Sequence, residues 1–185
     1  ETAHRFGLCL SPGPALRVNT MPIRPYREQD FARLYTLNQA SVPGVGAETE
    51  ESLALWIKLS TCLVVTDPAD QAFGFITLMA LGQPEYDSPN MRWFESYAER
   101  TGTTPIYVDR IALAPEARGQ RLGEALYLAA FEQFQSTGAI GCEINTLPPN
   151  PGSHQFHQRL GFSPVGETTY RPGEKAVMFY IRALG

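Results

Sequence analysis

The stretch from Tyr107 to Glu124 contains the residues with the clearest chemical meaning in this sequence. It begins as an apolar strand, passes through a basic turn and opens a helix. The first backbone amides of a helix lack internal partners and, with the helix dipole, they bind anions. Gly119 and Gly123 remove side chains where a pyrophosphate approaches the backbone, and Arg118 and Arg121 add positive charge. The segment predicts a site for a phosphate-bearing ligand, and the alternative is an ordinary solvated loop.

The same segment resembles motif A of the GNAT superfamily of N-acetyltransferases, whose signature is Gln/Arg-x-x-Gly-x-Gly/Ala. Arg118, Leu122 and Gly123 fit the signature, and Arg121 replaces its central glycine. The resemblance implies that acetyl-CoA, the acyl donor, lies in a split between two parallel strands, residues 107–113 and 139–146. It also implies a set of cofactor contacts. These are Ile111, Ala112 and Leu113 for pantetheine, and Arg118, Gly119, Gln120, Arg121, Leu122, Gly123 and Glu124 for pyrophosphate.

A second resemblance lies downstream, where residues 150–162 are similar to motif B of the same superfamily. Phe156, Leu160, Gly161 and Phe162 keep its packing pattern. The resemblance implies that Asn150 and His157 contact CoA. His157 stands where the family often has a tyrosine that is thought to protonate the leaving thiolate, and a charged histidine could do the same. The alternative is that His157 only packs on CoA or hydrogen-bonds to it.

Acetyl transfer to nitrogen also needs a base, because an alkyl ammonium has a pKa of about 10 and must lose its proton before attack. Asp109 lies in the cofactor strand, close to where some members of the family carry a catalytic glutamate. Strand alternation predicts that Tyr107, Asp109 and Ile111 share one face, with Val108 and Arg110 on the other. Asp109 is therefore the candidate base, and a structural ion pair with Arg110 is the alternative.

The acceptor site is expected around the second split strand. Glu143 and Asn145 share a face there and are candidates to bind the substrate ammonium, unless they are hydrogen-bonded polar residues of the sheet. Two segments, 38–48 and 86–94, are expected to wall the site, with Tyr86 and Trp93 forming a partly aromatic pocket. An aromatic mini-core beneath the second segment is the alternative. The amino-acid sequence of these segments is similar to that of a bacterial subgroup of GNAT proteins.

The elements that position these residues follow from hydrophobic periodicity and breaker residues. After a short strand near Ile23, helices are predicted at 30–40, capped by Asp30, and at 49–59. The remaining prediction is a hairpin (62–66, 72–81), a helix (91–100), a strand (106–113), a helix from about Leu122 to Gly138, a strand (139–146), a helix (153–160) and two strands (162–165, 176–182). The order predicts a single α/β domain with a mixed sheet. The resemblance implies the GNAT fold, a mostly antiparallel central sheet split between two parallel strands and flanked by helices.

Composition narrows the class of protein. The chain has 185 residues and a net charge of −4, with no cluster of Lys and Arg, which disfavours nucleic acid as a partner. Its three cysteines form no CxxC pair, so no metal site is expected. No apolar run has the length of a membrane span, and a cytoplasmic location is expected. Residues 1–20 are expected to be a leader or an upstream extension, and residues 21–185 the GNAT domain.

These observations predict transfer of an acetyl group from acetyl-CoA to a primary amine of a small molecule or a peptide terminus by direct attack. Homodimers are common in the family. A non-catalytic acyl-CoA sensor with the same fold is the first alternative. A phosphate-binding or nucleotide-binding protein unrelated to CoA is the second, and the absence of GxxxxGK[ST] disfavours its P-loop form.

Overall fold

A seven-stranded mixed sheet dominates the computed structural model, which describes residues 21–185. The expected leader, residues 1–20, lies outside the described residues. The strands are ordered β1-β2-β3-β4-β5-β7-β6, and the elements follow the predicted sequence of strands and helices. Their bounds are β1 Ile23–Pro25, α1 Phe31–Ala40, α2 Glu50–Lys58, β2 Thr61–Thr66, β3 Ala72–Met79, α3 Pro89–Thr101, β4 Ile106–Leu113, α4 Leu122–Gln133, β5 Ala139–Leu147, α5 Pro151–Arg159, β6 Ser163–Arg171 and β7 Lys175–Ala183.

The sheet is split at its centre. Every neighbouring pair of strands is antiparallel except β4 and β5, which are parallel and pair only at Ile106↔Ile140 and Tyr107↔Gly141. Beyond Tyr107, β4 continues against β3 as far as Leu113, while β5 continues against β7 as far as Leu147. The two strands therefore separate along most of their length, which confirms the predicted split fold.

Local signals explain where most helices begin. Thr49 caps α2 by accepting a hydrogen bond from the amide of Ser52 at 3.1 Å, and Ser88 caps α3, which starts at Pro89. The prediction for α1 was wrong in one detail, since Asp30 makes no cap and its buried carboxylate pairs with Arg24 at 2.7 Å. Within residues 21–185, no helix combines the length and apolar character needed to cross a membrane.

Two clusters of buried side chains hold the elements together. The larger one joins α1, α2 and α4 to β2, β3, β4 and β5. The smaller one lies under α3 and is mostly aromatic, with Phe94, Tyr107 and Phe179 at its centre. Gly141, at the last pairing of β4 with β5, lets α3 approach this point closely: a Cβ there would lie 2.7 Å from the ring of Phe94.

This packing predicts that Gly141→Ala destabilises the fold. The added methyl group has to displace the buried Phe94 ring, and overpacking of this kind costs about 1–3 kcal/mol of unfolding free energy. Gly152→Ala is the matched control, because a Cβ at that position meets no atom within 4 Å. Urea unfolding of both variants measures the difference, and equal midpoints would show that the contact at Gly141 is not tight.

Candidate active site

A large cavity of about 1210 Å³ fills the gap between β4 and β5. Its walls are β4, β5, the turn before α4, the start of α5, residues 41–48 and the first residue of β7. Pockets for single drug-sized ligands measure roughly 300–1,000 Å³. The cavity therefore has room for one long ligand together with a second, small molecule.

The basic turn forms one end of this cavity. Gly119 and Arg121 both adopt the left-handed conformation, with φ of 74° and 60°. Glycine adopts it freely, whereas Arg121 does so at a steric cost, in the position where the motif A signature has its central glycine. The side chain of Arg121, the N-cap residue of α4, makes no capping hydrogen bond in the described part of the chain. Arg118, Arg121 and Arg159 line this end with exposed side chains. Arg121 is paired with Glu124 at 2.7 Å, so the positive charge expected of an anion site comes from Arg118 and Arg159.

Apolar residues line the middle of the cavity. A Cβ on Gly123 would lie 3.4 Å from both Leu113 and Phe156, so the glycine permits close packing of α4 against β4 and α5. Ile111 lies on the same side, 3.9 Å from that position. Asn150 lines the cavity and caps α5, its Oδ1 accepting a hydrogen bond from Ser153 N at 3.3 Å.

A β-bulge in β4 changes which side chains face the other end of the cavity. Thr77 of β3 pairs with Arg110, but the next residue, Leu78, pairs with Val108, so Asp109 is the extra residue. Directly paired residues share a face, which places Tyr107 and Arg110 on the same side of the sheet. The prediction that they lie on opposite faces was therefore wrong, because strict alternation breaks at Asp109.

The bulge surrounds Asp109 with donors. Its carboxylate accepts hydrogen bonds from Arg110 Nε at 2.5 Å, from Thr77 Oγ1 at 3.3 Å and from the hydroxyl of Tyr86. The side chains of Asp109 and Arg110 are only 3% and 4% exposed. The ion pair that the sequence left as the alternative is thus present, and it ties the carboxylate of Asp109 to the protein.

Arg110 connects this ion pair to the acceptor loop, residues 41–48. Its guanidinium donates to Asn38 Oδ1 and to Glu48 Oε1, both at 2.9 Å. Glu48 also accepts hydrogen bonds from Ser52 at 2.6 Å and from the indole of Trp56 at 3.0 Å. One buried cation therefore pairs with two carboxylates and anchors the end of the loop.

Glu143 on β5 lines the cavity and forms no ion pair with any residue between 21 and 185. Its Oε1 accepts hydrogen bonds from Asn90 at 2.8 Å and from the hydroxyl of Tyr107 at 3.2 Å. Its Oε2 is buried and has no hydrogen-bond partner among residues 21–185. Burial and, next, the nearby charge of Asp109 raise the pKa of Glu143 to about 7. Glu143 can therefore exchange a proton near neutral pH, and it lines the cavity.

Trp93 and Gln120 do not line the cavity. The indole of Trp93 stacks on Phe179 at a centroid distance of 3.9 Å, and Gly166 makes room for it, because a Cβ there would lie 2.5 Å from the indole. Trp93 belongs to the aromatic mini-core that the sequence left as the alternative, so its assignment to the acceptor pocket was wrong. Gln120 donates its side-chain amide to the carbonyl of Glu116 at 2.8 Å.

His157 also lies away from the cavity, in the apolar packing between α4 and α5. Its Nδ1 bonds to the carbonyl of Ser153 and its Nε2 to the hydroxyl of Tyr127, both at 2.8 Å. Burial lowers the pKa of His157 to about 4, so the ring is neutral at physiological pH. The expectation of a charged general acid at His157 is therefore corrected to a packing role.

Several cavity residues escaped the sequence analysis. Asn90 and Glu48 lay inside the expected walls but carried no signal of their own. Arg159 and Lys175 reach the cavity from α5 and β7, and only the tertiary structure brings them there. In the part of the chain that the structure describes, no three His, Cys, Asp or Glu side chains gather as metal ligands.

Comparison with known proteins agrees with this geometry. Residues 31–162 match the family model described as Acetyltransferase (GNAT) family. The chain belongs to this family. The matched region begins with α1 and ends just before β6, so it includes both walls of the split and the basic turn.

Two curated relatives carry the name mycothiol acetyltransferase. The protein from Renibacterium salmoninarum is 26% identical over 175 residues, covering 86% of this chain and 46% of that protein. The protein from Actinosynnema mirum is 28% identical over 160 residues, covering 83% of this chain and 46% of that protein. The chain thus spans about half the length of these relatives.

Solved structures share the fold. A phosphinothricin acetyltransferase from Sinorhizobium meliloti, in complex with AcCoA, superposes with a TM-score of 0.65 at 21% identity, covering 89% of this chain and 88% of that chain. The ribosomal-protein-S18-alanine N-acetyltransferase from Escherichia coli gives 0.65 at 13% identity, covering 88% and 93%. At this identity the likeness concerns the fold alone.

The raised pKa of Glu143 predicts a pH-dependent stability difference. The folded-state pKa of about 7 exceeds the ordinary value of 4.5, so stability is lost as the pH rises between these values. Glu143→Gln has no charge to bury and should be more stable than the native chain at pH 9, by about 3 kcal/mol, and nearly equal at pH 4.5. Urea unfolding across this range measures the difference. Glu167→Gln, at an exposed position on β6, is the control, and parallel pH curves for all three proteins would contradict the assignment.

Proposed function

We propose that this chain transfers an acetyl group from acetyl-CoA to a primary amine, on a small molecule or a peptide terminus, by direct attack of the amine. One observation carries the proposal: the cavity runs from the cationic N-terminus of α4, through the gap between β4 and β5, to the carboxylate of Glu143. The family and the names of the relatives support acetyl transfer. The AcCoA complex of the structural neighbour supports the donor.

The residues along the gap suit acetyl-CoA. From Val108 to Leu113, the edge of β4 that faces β5 has no strand partner among residues 21–185, so we assign its amides and carbonyls to a ligand with amide groups. At the end of this edge, Arg118 and the N-terminus of α4 offer positive charge to phosphate. When bound, acetyl-CoA supplies the thioester carbonyl that the amine attacks.

Glu143 is the residue that we assign to proton removal. A base works best when its pKa lies near the working pH, and Glu143 meets this condition. Its buried Oε2, without a hydrogen-bond partner among residues 21–185, is the oxygen that we assign to accept the proton, while Asn90 and Tyr107 hold Oε1 in place. The carboxylate first takes one proton from the ammonium, which frees the nitrogen lone pair for attack. The N–C bond forms and the C–S bond of the thioester breaks, so that CoA leaves as a thiolate and takes up the second proton that the nitrogen loses. Glu143 passes its proton to solvent after product leaves.

Asp109, the base expected from the sequence, has a supporting role in this proposal. Arg110, Thr77 and Tyr86 already donate to its carboxylate, so its lone pairs are occupied. Its charge nevertheless raises the pKa of Glu143. Asp109 therefore sets the pH range over which Glu143 acts as a base.

Donor binding is tested by thermal shift with acetyl-CoA, CoA and ATP. We expect both CoA species to raise the melting temperature and ATP to leave it unchanged. Arg118→Ala should weaken CoA binding about tenfold, equivalent to about 1.4 kcal/mol, since one phosphate contact is lost. Arg100→Ala, on the exposed side of α3, should have no effect.

The outcomes separate the rival functions. Stabilisation by CoA species together with release of free thiol in the presence of amines supports the transferase. Stabilisation without turnover across a broad panel of amines favours an acyl-CoA sensor. A response to ATP alone would mean that the turn binds a nucleotide and would overturn the proposal.

The role of Glu143 predicts the pH dependence of kcat. The rate should rise with pH through about 7 and then level off, because only ionised Glu143 accepts a proton. Glu143→Gln should lower kcat by about 100-fold and remove this rise, with donor binding unchanged. Asp109→Asn should shift the rise to lower pH, since removing the neighbouring negative charge lowers the pKa of Glu143.

Kinetics of these variants, with Glu167→Gln as control, decide between the two carboxylates. If Asp109→Asn abolishes the rise and Glu143→Gln only shifts it, Asp109 is the base, as the sequence indicated. If neither variant alters the profile, proton removal uses another group and the assignment fails.

A further inference from the structure

Lys175, the first residue of β7, is a half-buried cation at the wall of the cavity. Its Nζ donates a hydrogen bond to Oδ1 of Asn145 at 2.9 Å. The amide nitrogen of Asn145 in turn lies 3.5 Å from the carbonyl of Pro43 in the acceptor loop. Lys175 and Asn145 thus stand where β5, β7 and the acceptor loop meet.

The charge of Lys175 is not neutralised by the protein. Among residues 21–185, no carboxylate lies within 4.0 Å of its ammonium. Glu174, the neighbouring residue, pairs with Arg171 instead. Arg110, the other cation on this side, is shared between Asp109 and Glu48. An ammonium has three N–H donors, and Asn145 uses one of them. Two donors and a full positive charge are left for a ligand.

The position of Lys175 separates it from the phosphate end. Along β5, Cys142 and Ile144 belong to the core cluster shared with α4, whose N-terminus forms the anion site. Glu143 and Asn145 pair with Phe179 and Val177, which face the aromatic cluster under α3. Lys175 follows the same alternation on β7. It therefore lies on the face of the sheet that carries Glu143, opposite the face covered by α4.

The spacing on this face matches a ligand with two opposite charges. Glu143 and Asn145 are two residues apart on one strand, which separates them by roughly 6.5–7 Å along it. Glu143, which accepts protons, and Lys175, which attracts anions, therefore lie at the two ends of one short stretch of the cavity wall. A molecule whose amine and acidic group are a few bonds apart contacts both.

We propose that the acceptor is a zwitterion, an amino acid or short peptide whose amine faces Glu143 and whose carboxylate is bound by Lys175 and Asn145. This inference rests on the proposed function, because it names the acceptor of the same reaction. It excludes polyamines, whose second positive charge would meet Lys175. Lys175 is a substrate-binding residue here and takes no part in proton transfer.

The test compares L-amino acids and dipeptides with their carboxamides and with the amines that lack the carboxyl group. We expect the free acids to be acetylated with kcat/KM at least tenfold higher than their uncharged counterparts. Lys175→Ala should raise KM for the acids by about tenfold or more, leave kcat nearly unchanged and leave the decarboxylated amines unaffected. Lys175→Glu should shift the preference towards diamines. Lys58→Ala is the matched control, because Lys58 is the other lysine of the chain and lies exposed on α2.

Calorimetric titration of the same compounds into the CoA-saturated protein gives a readout that needs no turnover. Lys175-dependent binding of the acids supports the inference, even if no acceptor is acetylated and the proposed function fails. Acetylation of plain amines as efficient as that of amino acids, or binding unaffected by Lys175→Ala, would overturn the inference and leave the proposed function standing. Unchanged melting temperatures of the Lys175 variants exclude misfolding as the cause.

Discussion

Within residues 21–185, strand pairing joins the two halves of the sheet at two positions, Ile106↔Ile140 and Tyr107↔Gly141. Because β4 and β5 separate immediately afterwards, one edge of β4 has no strand partner within the described part of the chain and lies beside the cavity. The halves are held at this short seam by packing, since Phe94 and Tyr107 fill the space next to Gly141. The ligand gap and the aromatic cluster under α3 therefore depend on each other.

The bulge at Asp109 determines which carboxylate of the site is paired with Arg110. By bringing Asp109 and Arg110 to the same side, it lets adjacent residues form a buried ion pair that Glu48 extends to the acceptor loop. Glu143, one strand away, forms no ion pair within residues 21–185, and burial together with the nearby charge of Asp109 raises its pKa to about 7. One inserted residue thus places Asp109 in an ion pair, whereas Glu143 keeps an oxygen without a hydrogen-bond partner among residues 21–185.

Much of this architecture was readable from the sequence because it depends on local patterns. The helix and strand order follows from periodicity, and the basic turn follows from Gly119, Arg118 and the apolar stripe of α4. The bulge was not predictable, since a period of two assumes unbroken alternation and nothing in the residues around Asp109 marks the slip.

Packing decided the other errors. Trp93 lies outside the cavity because Gly166, more than 70 residues away in sequence, leaves space for its indole beside Phe179. His157 is buried because its ring forms a hydrogen bond with the hydroxyl of Tyr127 on α4. Lys175 carried no motif at all, and only the pairing of β7 with β5 brings it to the cavity. Such contacts join distant parts of the chain, and single-sequence patterns do not record them.

The bond between Trp56 and Glu48 has an optical consequence. The chain has two tryptophans, and Trp93 is enclosed among aromatic rings, whereas Trp56 holds the end of the acceptor loop through its indole N–H and touches Tyr86 edge-on. Indole emission depends on the polarity around the ring. A movement of the loop therefore changes the fluorescence of Trp56 while Trp93 stays a constant background, so the chain carries its own reporter for events at the acceptor side.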